Sequence, residues 1–511
     1  MPGSTRIRPH GARVRGADIS RSSILFDGPF GRIFRAVPPA DFGSDDAASL
    51  EALKKLADAM ISPKDATDPK DGPDPEEGGI PAAYTYFGQF IDHDLTFDPA
   101  SSLQRQDDPD ALVDYRTPRF DLDNVYGRGP DDQPYLYADG RSFILGQPLS
   151  GAAENPRAKD LPRSQPSPPN PNRAIIGDPR NDENIIVSQM QGLWHRFHNK
   201  IAADHPDWNF ERIQREVRFH YQWLLLHDFL PAIVFEDVLR DVLPLDEDGD
   251  VIVDSRNLRF FHPRNELFMP LEFSAAAYRF GHSMIRPGYR LSETIGPLPL
   301  FALDPNPDLR GFRAFPSNWA MDWNLFMDLE PRDPDNTTRT QLAYKMDTSL
   351  VNPLSVLPAS VAINPSILAL RNLERGWRMR LPSGQNVARA MGIRPLADRD
   401  ILIGKFTGNP ADIVGPIDKI DDAFAGNCPL WTYVLAETVK TLVVLNTTKG
   451  DKHIETRKLG PVGGRIVAET FAGLLLGDSS SYIALDPLWR PSLGVKGKFG
   501  LRELIATALQ G

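Results

Sequence analysis

The 511-residue sequence contains a single cysteine, Cys428, so it can form neither an intramolecular disulfide nor a thiolate metal cluster. Cysteine-based zinc fingers and iron–sulfur centres are thereby excluded. It also lacks any apolar run long enough to span a bilayer, and Met1 to Ser22 carries several arginines but no continuous apolar stretch. No secretory leader is read there, and the expectation is a soluble product, cytoplasmic or exported by a leaderless route. Positive charge is not in excess: 57 Lys and Arg against 68 Asp and Glu give a net charge of −11, which does not favour nucleic acid or an anionic membrane as a partner. Neither a solenoid repeat nor an alternating strand–helix pattern is present, so a doubly wound sheet is not expected. What is present is 41% hydrophobic and 24% charged residues, the balance of a folded protein with a substantial core.

Apolar residues recur at helical spacing in Glu183–Asp204, Phe210–Val234, Pro270–Arg286, Pro365–Arg380 and Trp431–Leu445, which predicts a mainly α fold with little β structure. A short β-branched run at Asp250–Asp254 suggests a hairpin. Two stretches rich in Pro, Asp and Gly, residues 62–79 and 154–172, read as irregular loops that bury little. The organisation expected is an N-terminal extension, 1–22, followed by one large domain, 23–511.

Three local constellations carry possible chemistry. In Tyr84–Pro99, Gln89, Asp92 and His93 fall at i, i+3 and i+4 and share a helix face, with Asp94 pointing elsewhere. A neutral imidazole there can shuttle a proton while the amide holds a small ligand; an Asp-His-Asp surface cluster or helix cap is the competing explanation. Asp178-Pro179-Arg180-Asn181-Asp182-Glu183 reads as a helix start with a capping Asp and a first-turn Pro, placing Arg180 and Glu183 on one face; a plain first-turn ion pair fits it as well. In Pro270–Pro287, Gly281 beside His282 lets a flat cofactor approach an imidazole that can bind iron, although a hydrogen-bonded core histidine has the same signature.

Taken together, Gly88-Gln89-Phe90-Ile91-Asp92-His93-Asp94-Leu95, Gly177 to Glu183, Tyr278-Arg279-Phe280-Gly281-His282-Ser283-Met284-Ile285-Arg286-Pro287 and Asn372-Leu373-Glu374-Arg375-Gly376 with Leu381-Pro382 resemble, in order and spacing, the animal-type haem peroxidases of the peroxidase–cyclooxygenase superfamily. The resemblance runs from about Ile24 to the C-terminus. It implies a large, mainly α haem peroxidase domain with long irregular loops. It also implies haem b, with His282 as proximal iron ligand and Asn372 on its other ring nitrogen, a contact that raises ligand basicity. His93 then corresponds to the distal base, Arg180 to the group that offsets charge on the departing oxygen, and Gln89 to the residue that positions water or halide. Arg279 and Arg375 correspond to propionate partners.

The same resemblance places Asp92 and Glu183 at the two carboxylates that can become esters of haem methyl groups, with formation left open. Asn184 stands where a branch of the family has a sulfonium-forming methionine, so no such link is expected. Asp94, with Thr117, the Arg119 carbonyl, Asp121 and Asp123, matches the family's calcium loop, whose oxygens suit a hard cation. The implied activity is reduction of hydrogen peroxide through a ferryl haem with oxidation of a small donor, a halide, thiocyanate or phenol. Response to oxidative stress is the associated role.

Other readings were weighed. A fatty-acid oxygenase of the superfamily needs a radical-forming Tyr three residues before the proximal His; Arg279 occupies that position and Tyr278 is one residue too far back. A metal hydrolase built on His195 and His198 is less economical than helix packing, and a peroxinectin-like adhesion protein gives no reason for His93, Arg180, His282 and Asn372 to occur together.

Overall fold

The computed structural model describes residues 30–62, 74–96, 116–165, 172–263, 267–302, 307–359, 361–362, 365–405, 407, 412–495 and 498–511. The expected extension at 1–22 lies outside them. The main helices are α1 (Asp46–Ala59), α2 (Ala83–Leu95), α3 (Ile185–Asp204), α4 (Phe210–Leu224), α5 (Leu368–Arg378), α6 (Leu430–Ala436), α7 (Gly463–Gly477) and α8 (Leu501–Ala508). Among the described residues every sheet has two strands. The fold is mainly α, as expected.

The centre is made by α2, α3 and α4. Almost every apolar residue of α3 is buried, because Ile185, Val187, Met190, Trp194 and Phe197 surround the helix axis. Its start is fixed by Asn184, whose side chain accepts from the Val187 N–H at 2.9 Å. Phe90 of α2 stacks on Trp194 at 5.5 Å, and Tyr221 of α4 meets Trp194 edge-on at 5.4 Å. Helix α4 continues through a wider, π-helical turn, Leu225–Phe229, into Leu230–Ile233, so the apolar periodicity of Phe210–Val234 marks one nearly continuous rod.

Several expectations are corrected. Pro270–Arg286 is not one α-helix: a single turn, Leu271–Ser274, breaks at Ala275–Ala276 and resumes as a 3₁₀ segment, Ala277–Met284. The Ala276 backbone (φ −138°, ψ −74°) leaves helical space, and Gly281 adds little helical preference. Trp431–Leu445 is helical only to Ala436. Beyond it, strand β1 (Val439–Thr447) pairs antiparallel with β2 (Gly450–Lys458), because Val439, Thr441, Val443 and Val444 favour an extended chain and Gly450 takes the φ of +98° that the turn needs.

The stretch 62–79 ends in a buried strand, Glu77–Pro81, paired antiparallel with Leu342–Tyr344. Glu77 is taken out of water by ion pairs to Arg286 and Arg339. The stretch 154–172 also buries more than expected: Asn155, Ala158, Asp160 and Leu161 are all buried, and Arg163 joins Asp160 and Asp182, each at 2.8 Å. Near Asp250–Asp254 the hairpin reduces to one bridge, Leu245 to Val251.

Candidate active site

Helix α2 leaves only part of its polar face accessible. Of Ala83–Leu95 only Gln89 and Asp92 stay half-buried; the rest are buried, with Phe87 and Phe90 holding the opposite face in the core. Helix α2 packs against the 3₁₀ segment Ala277–Met284, in which only Arg279, Gly281 and His282 stay half-buried. In a 3₁₀ turn residues three apart eclipse, so Arg279 and His282 lie one above the other. The two accessible faces meet: Asp92 is among the charges that act on Arg279 and on His282. A methyl group built at Gly281 would touch nothing within 4 Å, so the segment is open at Gly281, next to His282 in the chain.

The His282 imidazole is fixed from behind. Its Nδ1 lies 2.7 Å from the amide of Asn372 on α5, and with that amide turned to present its oxygen, an Nδ1–H is accepted and the Nε2 lone pair is left for a metal. Burial, then the Arg279 charge, pushes the ring down to about 3 against the opposing pull of Asp92, so it is neutral at ordinary pH. Arg375 is half-buried one turn beyond Asn372 on the same face of α5. The main chain of the segment is anchored where the Trp431 indole N–H donates to the Arg279 carbonyl at 3.2 Å.

On the α2 side, His93 Nδ1 lies 2.7 Å from Asn181 Oδ1, and its Nε2 is 3.7 Å from Glu183 Oε1. Gln89 donates to that same Glu183 oxygen and accepts from Asn184 Nδ2 at 3.1 Å. The expected helix start at Asp178 is a 3₁₀ turn, Pro179–Asp182, capped by Asp178, which accepts from the Arg180 N–H at 2.8 Å. Asp178 also grips the Arg180 guanidinium through Nε at 3.1 Å and Nη2 at 2.7 Å, while Nη2 donates to the His93 carbonyl at 3.0 Å. Burial opposes the ionisation of Asp178, but Arg180, Arg116 and His93 outweigh it and hold the carboxyl well below the usual range.

A second cluster abuts the first. Asp94, Asp121 and Asp123 place one oxygen each within 4.8 Å of one another, and neither oxygen of the fully buried Asp94 has a hydrogen-bond partner. Thr117 Oγ1 donates to Asp121 Oδ2 at 2.5 Å. Burial, with mutual repulsion, raises all three carboxyls: Asp94 strongly, Asp121 to about 6 and Asp123 to about 8. The Arg119 side chain turns away to Asp478 at 3.7 Å. Arg116 bridges the two clusters, with Asp123 at 3.2 Å and Asp178 at 2.5 Å.

Residues 102–304 match the family model of the animal haem peroxidases. That span, and with it part of the candidate site, is similar to the animal haem peroxidases. It is 28% identical over 200 residues to dual oxidase 1 of Caenorhabditis elegans (36% of this chain, 12% of that protein) and 25% identical over 341 residues to human thyroid peroxidase (60% and 33%). The chain thus spans a third or less of these curated relatives. Peroxidase A of Dictyostelium discoideum shares the fold, with a TM-score of 0.57 at 15% identity over 90% of this chain and 89% of that one.

The matched span includes Arg180, Glu183, Arg279 and His282 but neither Gln89–Asp94 nor Asn372, whose places are given by the contacts above. Tyr278 points into a cluster of Phe273, Phe229 and Phe471, its ring 4.6 Å from that of Phe273. Sequence reasoning missed three residues, Asn181, Gln191 and Arg116, and saw Asp178 only as a cap; nothing in the local pattern marks a long-range hydrogen bond.

Proposed function

We propose that this chain, as one domain across residues 23–511, binds haem b between α2 and Ala277–Met284 and reduces hydrogen peroxide while oxidising a small donor, a halide, thiocyanate or phenol. The observation that carries the reading is the neutral His282, backed by Asn372 and next to a Gly281 that faces open space, with Asp92 of the His93 helix acting on it. These residues fit haem: His282 would take the iron, Arg279 and Arg375 the propionates, and Gly281 leaves room for the ring. Bound haem supplies the redox change that splitting peroxide requires.

The protein's own part is proton and charge handling. His93 Nε2 accepts the proton from one peroxide oxygen and returns it to the other, which leaves as water. Arg180, preset by Asp178 and the His93 carbonyl, offsets the negative charge that builds on the leaving oxygen. Gln89 holds the small ligand beside His93. Asp92 and Glu183 are the carboxylates available for ester links; Asn184, engaged as the α3 cap and with Gln89, supplies no sulfur. The buried carboxylates of Asp94, Asp121 and Asp123, with Thr117 and the Arg119 carbonyl, form the calcium site, which tethers the end of α2 that carries His93.

The test is to load the purified chain with haem and follow peroxide turnover in the parent and in His93→Ala. Turnover should fall by roughly a hundredfold or more with haem content unchanged; parental turnover in the variant rejects the proton role.

A further inference from the structure

Behind His93 runs a chain of four buried side chains. His93 Nδ1 lies 2.7 Å from Asn181 Oδ1, Asn181 Nδ2 donates to Gln191 Oε1 at 2.7 Å, and Gln191 Nε2 lies 2.9 Å from His195 Nε2. Asn181 and Gln191 are 0% exposed, His195 2% and His93 4%, so no water competes for these contacts. The chain ends at His195, whose Nδ1 has no partner and whose ring stacks on Phe143 at 4.3 Å and 8°. Burial, helped by His198, pushes the His195 ring down to about 3; it is therefore neutral and offers one lone pair and one N–H.

Such a chain has only two consistent polarities. Turning Asn181 alone would set its oxygen against the Gln191 oxygen, so both amides and both imidazole protons must reverse together. In the polarity present, each amide directs its N–H away from His93. His93 then carries its proton on Nδ1 and presents the Nε2 lone pair, and His195 accepts on Nε2 and carries its proton on Nδ1. The opposite polarity would put an N–H on His93 Nε2, whose neighbour Glu183 Oε1 lies 3.7 Å away, out of hydrogen-bond reach, so that N–H gains no acceptor there.

We infer that Asn181, Gln191 and His195 are positioning residues that couple the tautomers of two histidines and hold His93 in the form able to accept a proton at Nε2. The inference rests on the peroxidase reading for its use but not for its test. None of the three touches the peroxide; they act through His93. The role also accounts for His195, which packing alone would fill with an apolar side chain.

The test uses the full chain labelled with ¹⁵N-histidine, with and without haem in its diamagnetic carbonmonoxy ferrous form, reading which ring nitrogen of His93 and of His195 is protonated. The expected result is Nδ1–H on both rings. In the parent the present polarity already leaves the His195 Nδ1–H without a partner; His195→Phe removes that ring, strands a Gln191 group in its place and cuts the link between the two imidazoles, so the His93 ratio should move from its parental value toward Nε2–H by on the order of fivefold. His195→Met, which can only accept, should retain the parental ratio. Gln191→Leu should shift it in the same direction as His195→Phe and serves if that variant does not fold. With haem bound, kcat/KM for peroxide should fall in proportion to the lost Nδ1–H fraction while haem content holds. Opposite tautomers on the two rings, or a His93 ratio unmoved by both His195→Phe and Gln191→Leu, overturns the inference. Failure of the chain to bind haem would reject the peroxidase reading and leave the tautomer result standing.

Discussion

Asp178 accepts from the Arg180 guanidinium through both Nε and Nη2 and from its backbone N–H, and it is kept ionised by Arg180 and Arg116 despite burial. Such a carboxylate sets the position of a cation before any ligand arrives, so no reorganisation is needed when charge develops. Arg180→Leu is expected to lower kcat/KM for peroxide by roughly a hundredfold or more. Asp178→Asn should cost less, about tenfold, because the guanidinium remains but loses its charged partner. Stopped-flow mixing with peroxide checks both, and equal losses in the two variants would show that Arg180 acts only as a structural counter-ion. At this scale the sequence was legible where a residue announces itself by type: His93, Arg180 and His282 could be picked out. Asn181 and Gln191 could not, since their role depends on which distant ring each amide reaches.

Helix α2 carries both His93 and Asp94, so the site and the acidic cluster are joined by one peptide bond. Three buried carboxylates without a cation repel one another and oppose burial; a calcium ion reverses both effects. Chelation is therefore expected to lower Tm by several degrees and added calcium to restore it, with Asp94→Asn blunting the response; thermal unfolding with and without chelator measures this. A Tm indifferent to calcium rejects the cation site.

The elements also show where periodicity informs and where it misleads. Helix α3 was readable because a long apolar period follows a capping Asn184. The 3₁₀ segment was not, since Ala-Tyr-Arg-Phe-Gly-His-Ser-Met over eight residues fits either helical period, and the break at Ala276 is a tertiary effect. The strand Val439–Thr447 was hidden because its run of Val and Leu continues the apolar content of α6 without a Pro or Gly between them. The strand at Glu77–Pro81 was masked by charge: Glu77 reads as a loop residue until Arg286 and Arg339 are brought to it.

Across the whole molecule, buried hydrophobic residues from Phe34 to Ala508 form one connected cluster, and no helix among the described residues is long and apolar enough to cross a membrane. That core holds several histidines neutral: His195 is pushed down to about 3, and His198 and His227 to about 4, in each case first by burial. Their folded values lie below the unfolded value of about 6.5, so between these limits the unfolded chain binds more protons. Stability is then full above about pH 6.5 and is lost as pH falls toward about 4. Denaturant midpoints at pH 7 and pH 5 should show the loss, and His227→Gln should reduce it. Asp123, held up to about 8, gains stability over the same fall in pH, so the histidine part is read as the difference between parent and variant, and a pH response identical in the parent and His227→Gln contradicts the burial of His227 as a neutral group.

The account turns on His282 as the residue that takes iron, and titration of the purified full chain with haem, followed by visible absorption, addresses it most directly. The prediction is a Soret band that saturates at one equivalent in the parent and in His93→Ala, and fails to develop in His282→Ala. Equal haem uptake and an identical spectrum in His282→Ala would contradict it.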